Sequence, residues 1–116
     1  GTYAAYLTDI ATDIEDQGDI DQLPEKYGLD QNIPNPFNPQ TTINFQLPAS
    51  SDVRLDIYNI LGQKVKSLIE RYLPAGDHQV RWNGTDESGV RVASGIYFYR
   101  LQADEFVQTR KMLLLK

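Results

Sequence analysis

From Thr41 onward the chain is cut into short runs by turn residues, and within the runs apolar and polar positions alternate. That cadence limits the fold more than any other feature of the sequence. Thr41 to Leu47 set Ile43, Phe45 and Leu47 on one side and Thr42, Asn44 and Gln46 on the other, and Pro48 ends the run. Asp52 to Ile60 repeat the pattern, with Val53, Leu55 and Ile57 expected inward and Arg54 and Asp56 toward water. Such alternation belongs to antiparallel strands packed on one side only. Lys64 to Glu70 follow, with Val65 and Leu68 as core candidates, and His78 to Trp82 add Val80 and Trp82. Leu61-Gly62-Gln63, Leu73-Pro74-Ala75-Gly76 and the polar run Asn83 to Gly89 are rich in residues that bond local backbone or tolerate positive φ.

The most strand-like run is Gly95-Ile96-Tyr97-Phe98-Tyr99-Arg100-Leu101. Aromatic and β-branched residues fit a pleated surface. Ile96 and Phe98 fall on one face and Tyr97, Tyr99 and Leu101 on the other, which predicts a central strand covered on both sides. Asp104-Glu105 punctuate its end, and Phe106 to Lys116 read as the returning partner of a terminal hairpin. Turns at a spacing of roughly 8 to 12 residues, with no helical stretch after residue 31, predict an all-β, immunoglobulin-like antiparallel β-sandwich of about seven strands. The seventh strand is expected within Lys26 to Phe37. Trp82 has the area to bridge two sheets in the core, and stacking on a sugar is the alternative reading.

Asn32-Ile33-Pro34-Asn35-Pro36-Phe37-Asn38-Pro39 cannot lie inside a sheet, because each proline fixes φ and removes a donor. The segment is expected to run extended along a sheet edge, with Phe37 and Ile33 as apolar anchors. It reads either as a rigid lead-in that closes one end of the sandwich or as a recognition element.

Charge divides the chain. Residues 1–31 hold eight acids against Lys26, a net of −7, and residues 32–116 hold eight acids and ten bases, a net of +2, which together give −5. Residues 1–25 are expected to be an acidic linker or the remnant of a preceding domain, and residues 26–116 the folded domain. Residues 2–14 fit a short amphipathic helix through Tyr3, Tyr6, Leu7, Ile10 and Ile14, or a strand through Thr8, Ile10, Thr12 and Ile14. Asp13 to Asp21 space carboxylates around Gly18 as a calcium loop does, but Pro24 stands where the bidentate Glu is needed. A solvated linker is the reading favoured there.

With 116 residues the chain buries roughly two-thirds of its unfolded surface, enough for one core. The absence of cysteine excludes disulfide and thiol chemistry. No run approaches the ~18 apolar residues of a membrane-spanning helix. Residues 1–20 lack the basic start and apolar middle of a signal peptide, so if the protein is exported its signal lies upstream of Gly1 in a longer parent. No basic stripe interleaves with aromatics, and no nucleic-acid partner is expected. The single histidine, His78, has no nucleophile converging on it. Asp86 and Glu87 sit in a turn where solvation keeps carboxylates ionised. That turn reads as closed by its own hydrogen bonds, with calcium through Asn83, Asp86 and Ser88 as the alternative. No enzyme and no cofactor are expected.

Six blocks then stand in order: Gln31 to Pro39, Ile57 to Val65, Leu73 to His78, Trp82-Asn83-Gly84, Val92 to Leu101, and Lys111 to Lys116. Together they closely resemble the type A C-terminal sorting domain of the type IX secretion system, over about residues 26–116. They are similar also to the immunoglobulin-like domain of the flagellar hook-cap protein, which shares the tryptophan-turn and glycine-tyrosine blocks. Ile33 replaces a frequent aromatic, Asn83 replaces a frequent Asp, and residues 1–25 match nothing in the family.

The resemblance implies an address rather than chemistry: a non-catalytic sorting signal for a cargo domain placed N-terminal to it. It implies passage through the periplasm of a Gram-negative bacterium to the cell surface. The implied partners are the type IX translocon, its outer-membrane shuttle protein and a sortase-like peptidase that cuts ahead of the domain, expected between Asp16 and Gln31. Translocon recognition is assigned to Gly95, Tyr97, Leu101, Lys111 and Lys116. Gly95, Tyr97 and Leu101 define the fold and the two lysines are exposed, while Pro34, Asn35, Pro36 and Phe37 form the N-terminal motif. A carbohydrate-binding or adhesive module using Tyr3, Tyr6, Tyr58, Tyr72 and Tyr97, or a structural hook-cap-like module, is the alternative.

Overall fold

The computed structural model describes residues 23–116. The helix or strand expected over residues 2–14 and the acidic loop over 13–21 lie outside the described residues.

Among the described residues seven antiparallel strands form two sheets. They are β1 (Gly28–Leu29), β2 (Thr41–Leu47), β3 (Ser51–Tyr58), β4 (Lys64–Leu73), β5 (Gly76–Trp82), β6 (Gly95–Ala103) and β7 (Phe106–Leu114). One sheet runs β1-β2-β5 and the other β4-β3-β6-β7. This is the immunoglobulin-like sandwich expected from the alternation, and its seventh strand, β1, lies within the predicted Lys26 to Phe37 window.

The inward faces build one core. In β2 the alternation is complete, with Ile43, Phe45 and Leu47 fully buried. Opposite them lie Val53, Leu55 and Ile57 of β3, Tyr97, Tyr99 and Leu101 of β6, and Met112 and Leu114 of β7. Each fully buried aliphatic or aromatic side chain of this kind stabilises by about 1.5–3 kcal/mol. Trp82 is core, 1% exposed, and its indole Nε1 donates to the Thr85 carbonyl at 2.8 Å. A buried indole needs such a partner for its single donor.

Three expectations are corrected. β6 is an interior strand, but only one of its faces is covered by the described residues: Ile96 is 41% exposed and Phe98 is half-buried, because none of those residues forms a second layer over that side of the sheet. Ile33 is 64% exposed and does not anchor the proline-rich segment. Its backbone is held instead, by an antiparallel bridge with Thr42. Asp56 does not face open water; it is 5% exposed, flanked by Arg54 and Tyr58 on its own strand, which both donate to its Oδ2.

β4 departs from a regular strand. Its pairing with β3 slips twice, between Leu55 and Asp56 and between Ile57 and Tyr58. Such irregularities bend a strand and spoil it as a template for further pairing.

Candidate functional site

The proline-rich segment and the last strand, about 75 residues apart in sequence, meet along one edge of the four-stranded sheet. Residues 29–37 form a strap between the sheets, its backbone paired with β2 from Leu29 to Ile33 and with β7 at Phe37. The Phe37 N–H donates to the Leu113 carbonyl at 3.0 Å, and the Leu115 N–H donates to the Phe37 carbonyl at 2.9 Å. Asn35 Oδ1 accepts from the Leu113 N–H at 3.0 Å, and Gln31 Nε2 donates to the Lys111 carbonyl at 2.7 Å. In the other direction Arg110 Nε donates to the Leu29 carbonyl. The edge that a terminal strand would otherwise present is therefore filled by the chain's own backbone and amide side chains over its C-terminal half.

Prolines suit this work. Pro34, Pro36 and Pro39 have no N–H to leave unpaired, so only the residues between them need partners. Asn32 supplies several: its N–H donates to the Tyr99 hydroxyl at 2.8 Å, and its Nδ2 donates to the Pro34 carbonyl and to Thr41 Oγ1. Tyr99 in turn donates to the Asp30 carbonyl at 2.7 Å, so its hydroxyl pins the strap from below. Burial pushes the Tyr99 phenol up to about 12, and burial also raises that of Tyr97.

Beneath the strap lies an aromatic cluster. Phe37, 2% exposed, meets Trp82 at 5.8 Å between ring centroids, and Trp82 meets Tyr97 edge-on at 5.4 Å. The Tyr97 hydroxyl donates to the Ala93 carbonyl at 2.6 Å. Gly84 is required here, since a Cβ would sit 3.3 Å from the Pro39 carbonyl and 3.6 Å from Leu114, at a φ of 77°. Gly95 starts β6 opposite Leu114 at a φ of 143°, a region that side chains rarely adopt.

The predicted residues thus fall into two groups. Phe37, Tyr97 and Leu101 are core, the last fully buried, so they shape the domain and offer no surface to a partner. Pro34, Asn35 and Pro36 of the strap, with Lys111 and Lys116, are exposed. The structure brings Asn35, Phe37, Tyr97, Gly95 and the Lys111–Lys116 segment together at one end of the sandwich, and leaves Leu101 farther along β6. Sequence reasoning missed the roles of Gln31 and Arg110, whose partners are backbone carbonyls about 80 residues away, and of Asn32, whose N–H meets the distant Tyr99 hydroxyl; none of these has a local signature.

Other candidates are committed elsewhere. Asp86 Oδ1 accepts from the N–H groups of Ser88 and Val90, and Glu87 Oε2 accepts from the Ser67 N–H at 2.7 Å, so these carboxylates close the loop and tie it to β4. His78 stacks on Phe45 and its Nε2 donates to the Pro74 carbonyl at 2.8 Å. Among the described residues no group of three or more His, Cys, Asp or Glu side chains is close enough to hold a metal ion.

The class defined by these features is an immunoglobulin-like sandwich domain closed by its own lead-in segment. A family model described as "FlgD Ig-like domain" matches residues 31–105, and the chain belongs to that family. Among solved structures it is similar to FlgD from P. aeruginosa, with a TM-score of 0.51 and 25% identity over 64% of this chain and 57% of that one. It is similar to FlgD from Xanthomonas campestris, described as a hook-capping protein essential for flagellar assembly, with a TM-score of 0.53 and 22% identity over 75% and 65%. Dimeric latent PorU from Porphyromonas gingivalis gives a TM-score of 0.62 and 20% identity over 79% of this chain and 9% of that one. PorZ, described as a surface component of the type IX secretion system of the same organism, gives 0.54 and 20% over 74% and 11%. The chain therefore spans less than two-thirds of each of these proteins, and at 20–22% identity the likeness is one of fold. No curated protein matches the sequence.

Proposed function

We propose that the domain is a non-catalytic C-terminal sorting module that directs a cargo protein through the type IX outer-membrane translocon to the cell surface. The observation that carries the reading is the clasp between the Pro34-Asn35-Pro36-Phe37 segment and Leu113–Leu115. It joins the two sequence blocks most particular to the sorting-domain resemblance into one rigid end and leaves Lys111 and Lys116 exposed. The similarity in fold to PorU and PorZ fits the same system. On this reading the cargo lies N-terminal to the domain and the cut falls between Asp16 and Gln31. The shuttle protein and the translocon read the exposed end, and a sortase-like peptidase makes the cut on the outer surface. The family match favours a second reading, a hook-cap-like structural module that binds filament subunits.

The test fuses residues 16–116 behind a periplasm-targeted fluorescent protein in a host with the type IX system. Surface display with loss of the domain is expected. A folded fusion that stays uncut in the periplasm would overturn the reading and favour the structural module. Removing Met112–Lys116 should hold cargo in the periplasm. Because that truncation also removes core residues, Lys111→Glu with Lys116→Glu provides the variant that keeps the fold.

A further inference from the structure

Four strands end the two sheets, and three of them are protected. The strap seals β7 over its C-terminal half, and two register slips bend β4. β1 is only two residues long, and its Leu29 carbonyl is taken by Arg110. β5 has none of these devices. It runs seven residues against β2 without a slip and contains no proline. Such a regular edge is a template for a further strand.

Register fixes which groups of β5 face outward. On β2 the Thr42 N–H and carbonyl bond to Ile33, and the Asn44 carbonyl accepts from Asp30, so Thr42 and Asn44 turn their backbone toward the β1 side. Backbone direction alternates along a strand. Thr41, Ile43 and Phe45 therefore face β5, where they pair with Trp82, Val80 and His78. The N–H and carbonyl groups of Asp77, Gln79 and Arg81 then point to the free edge, and no hydrogen bond engages them among the described residues. A cavity of ≈ 340 Å³ between residues 66–68 and 80–82 keeps β4 off this stretch.

The same three residues expose their side chains, alternating with His78, Val80 and Trp82, which turn toward the core. Their own sheet offers the charges no partner of opposite sign. Asp77 pairs with Gln46 and Arg81 with Thr42, and neither makes an ion pair among the described residues.

We infer that β5 pairs antiparallel with β5 of a second copy of this chain, about a two-fold axis through Gln79. Asp77 of each copy then stands opposite Arg81 of the other, and Gln79 exchanges its N–H and carbonyl bonds with its counterpart. Side chains directly opposite in an antiparallel pair have Cβ atoms about 4.5–5.5 Å apart, within reach of an ion pair. An isologous contact needs a surface that complements itself, and Asp77-x-Gln79-x-Arg81 does so when read in reverse. Charge selects the register as well as the occupant. Sliding the strands by two residues loses both ion pairs, and sliding them by four sets Asp77 on Asp77 or Arg81 on Arg81. The contact joins two three-stranded sheets into one. A single strand pair buries little area, so the dimer is a weak one that forms at high local concentration. It depends on register and charge alone and is independent of the sorting reading.

The test follows the full chain by sedimentation from about 10 μM to about 1 mM, with amide hydrogen exchange measured at both ends of that range. A monomer–dimer equilibrium is expected, with the amides of Asp77, Gln79 and Arg81 gaining protection as concentration rises. Asp77→Arg sets like charges opposite each other at both ends of the contact and should weaken the dimer by roughly tenfold or more. Adding Arg81→Asp restores the ion pairs in exchanged positions and should bring the dimer back. Lys111→Glu on the other sheet should leave it unchanged, and melting confirms that each variant folds. A chain that stays monomeric throughout, or a dimer whose protected amides lie on β4 or β7, would overturn the inference. So would a double variant no tighter than Asp77→Arg alone, or a loss with Lys111→Glu equal to that with Asp77→Arg. Protection at Gln79 that ignores concentration would give the edge to the chain's own leading segment and would overturn the inference equally.

Discussion

The two edges of the four-stranded sheet solve the same problem by different means. An edge strand exposes unpaired backbone groups that invite another strand. At β7 the strap satisfies these groups with backbone, Asn35 and Gln31, and drives Phe37 into the core at the same place. At β4 the described residues add nothing comparable; two register slips bend the strand and Glu87 caps the Ser67 N–H. The first edge is integrated with the core and the second is only made unattractive. Stability should therefore be concentrated at the β7 edge, and substitutions at the β4 edge should affect association more than folding.

The largest break in this asymmetry should come from deleting Met112–Lys116. The deletion removes two buried side chains and the strap's partner groups, and should cost about 4 kcal/mol or more, read by chemical denaturation. Phe37→Ala should cost about 3–5 kcal/mol, since it empties the contact with Trp82 while leaving β7 in the chain. Tyr99→Phe should cost about 1–3 kcal/mol, because the Asn32 N–H and the Asp30 carbonyl lose their buried partner.

The Tyr99 phenol also sets a pH signature. Its folded value of about 12 lies above the ordinary 10, so its contribution to stability is whole below about pH 10 and is lost as pH rises toward 12. Denaturation midpoints across that window should fall more steeply in the native chain than in Tyr99→Phe. Equal slopes would show that Tyr99 is not the group responsible.

Gly95→Ala should cost about 1–2 kcal/mol through backbone conformation alone, since no atom lies within 4 Å of the added methyl. The smallest effect is expected at the other edge. Glu87→Ala should change stability by about 1 kcal/mol or less, and should show instead as concentration-dependent association through β4 by sedimentation. A cost at Glu87 equal to that at Phe37 would erase the distinction between the edges.

Much of the sandwich was legible because its signals are local. Thr41–Leu47 and Ser51–Tyr58 alternate at the period of a strand, and Pro48 and Gly62 mark where the chain must turn. Phe37 was legible as an anchor because it is the one large aromatic in a segment that cannot enter a sheet. Ile33 carried the same apolar signal yet is exposed, since its side is decided by the bridge to Thr42. Asp56 was misplaced because its cover comes from Arg54 and Tyr58 lying over it, and hydropathy cannot report that arrangement. Ile96 and Phe98 read as a second buried face by pattern, and only the sheet order shows that no layer of the described residues covers them.

The sequence by itself determined the strands, their inward faces, the turns and the exclusion of the proline-rich segment from the sheet interior. Each follows from φ limits and from a side-chain period of two. Which strand that segment would lie against, which edge it would seal, and which side chains would stand in one row across four strands were decided by tertiary structure. Those are matters of register between segments tens of residues apart, fixed by the joint burial of Phe37, Trp82, Tyr97 and Leu114 and by the partners that backbone groups must find once they leave water.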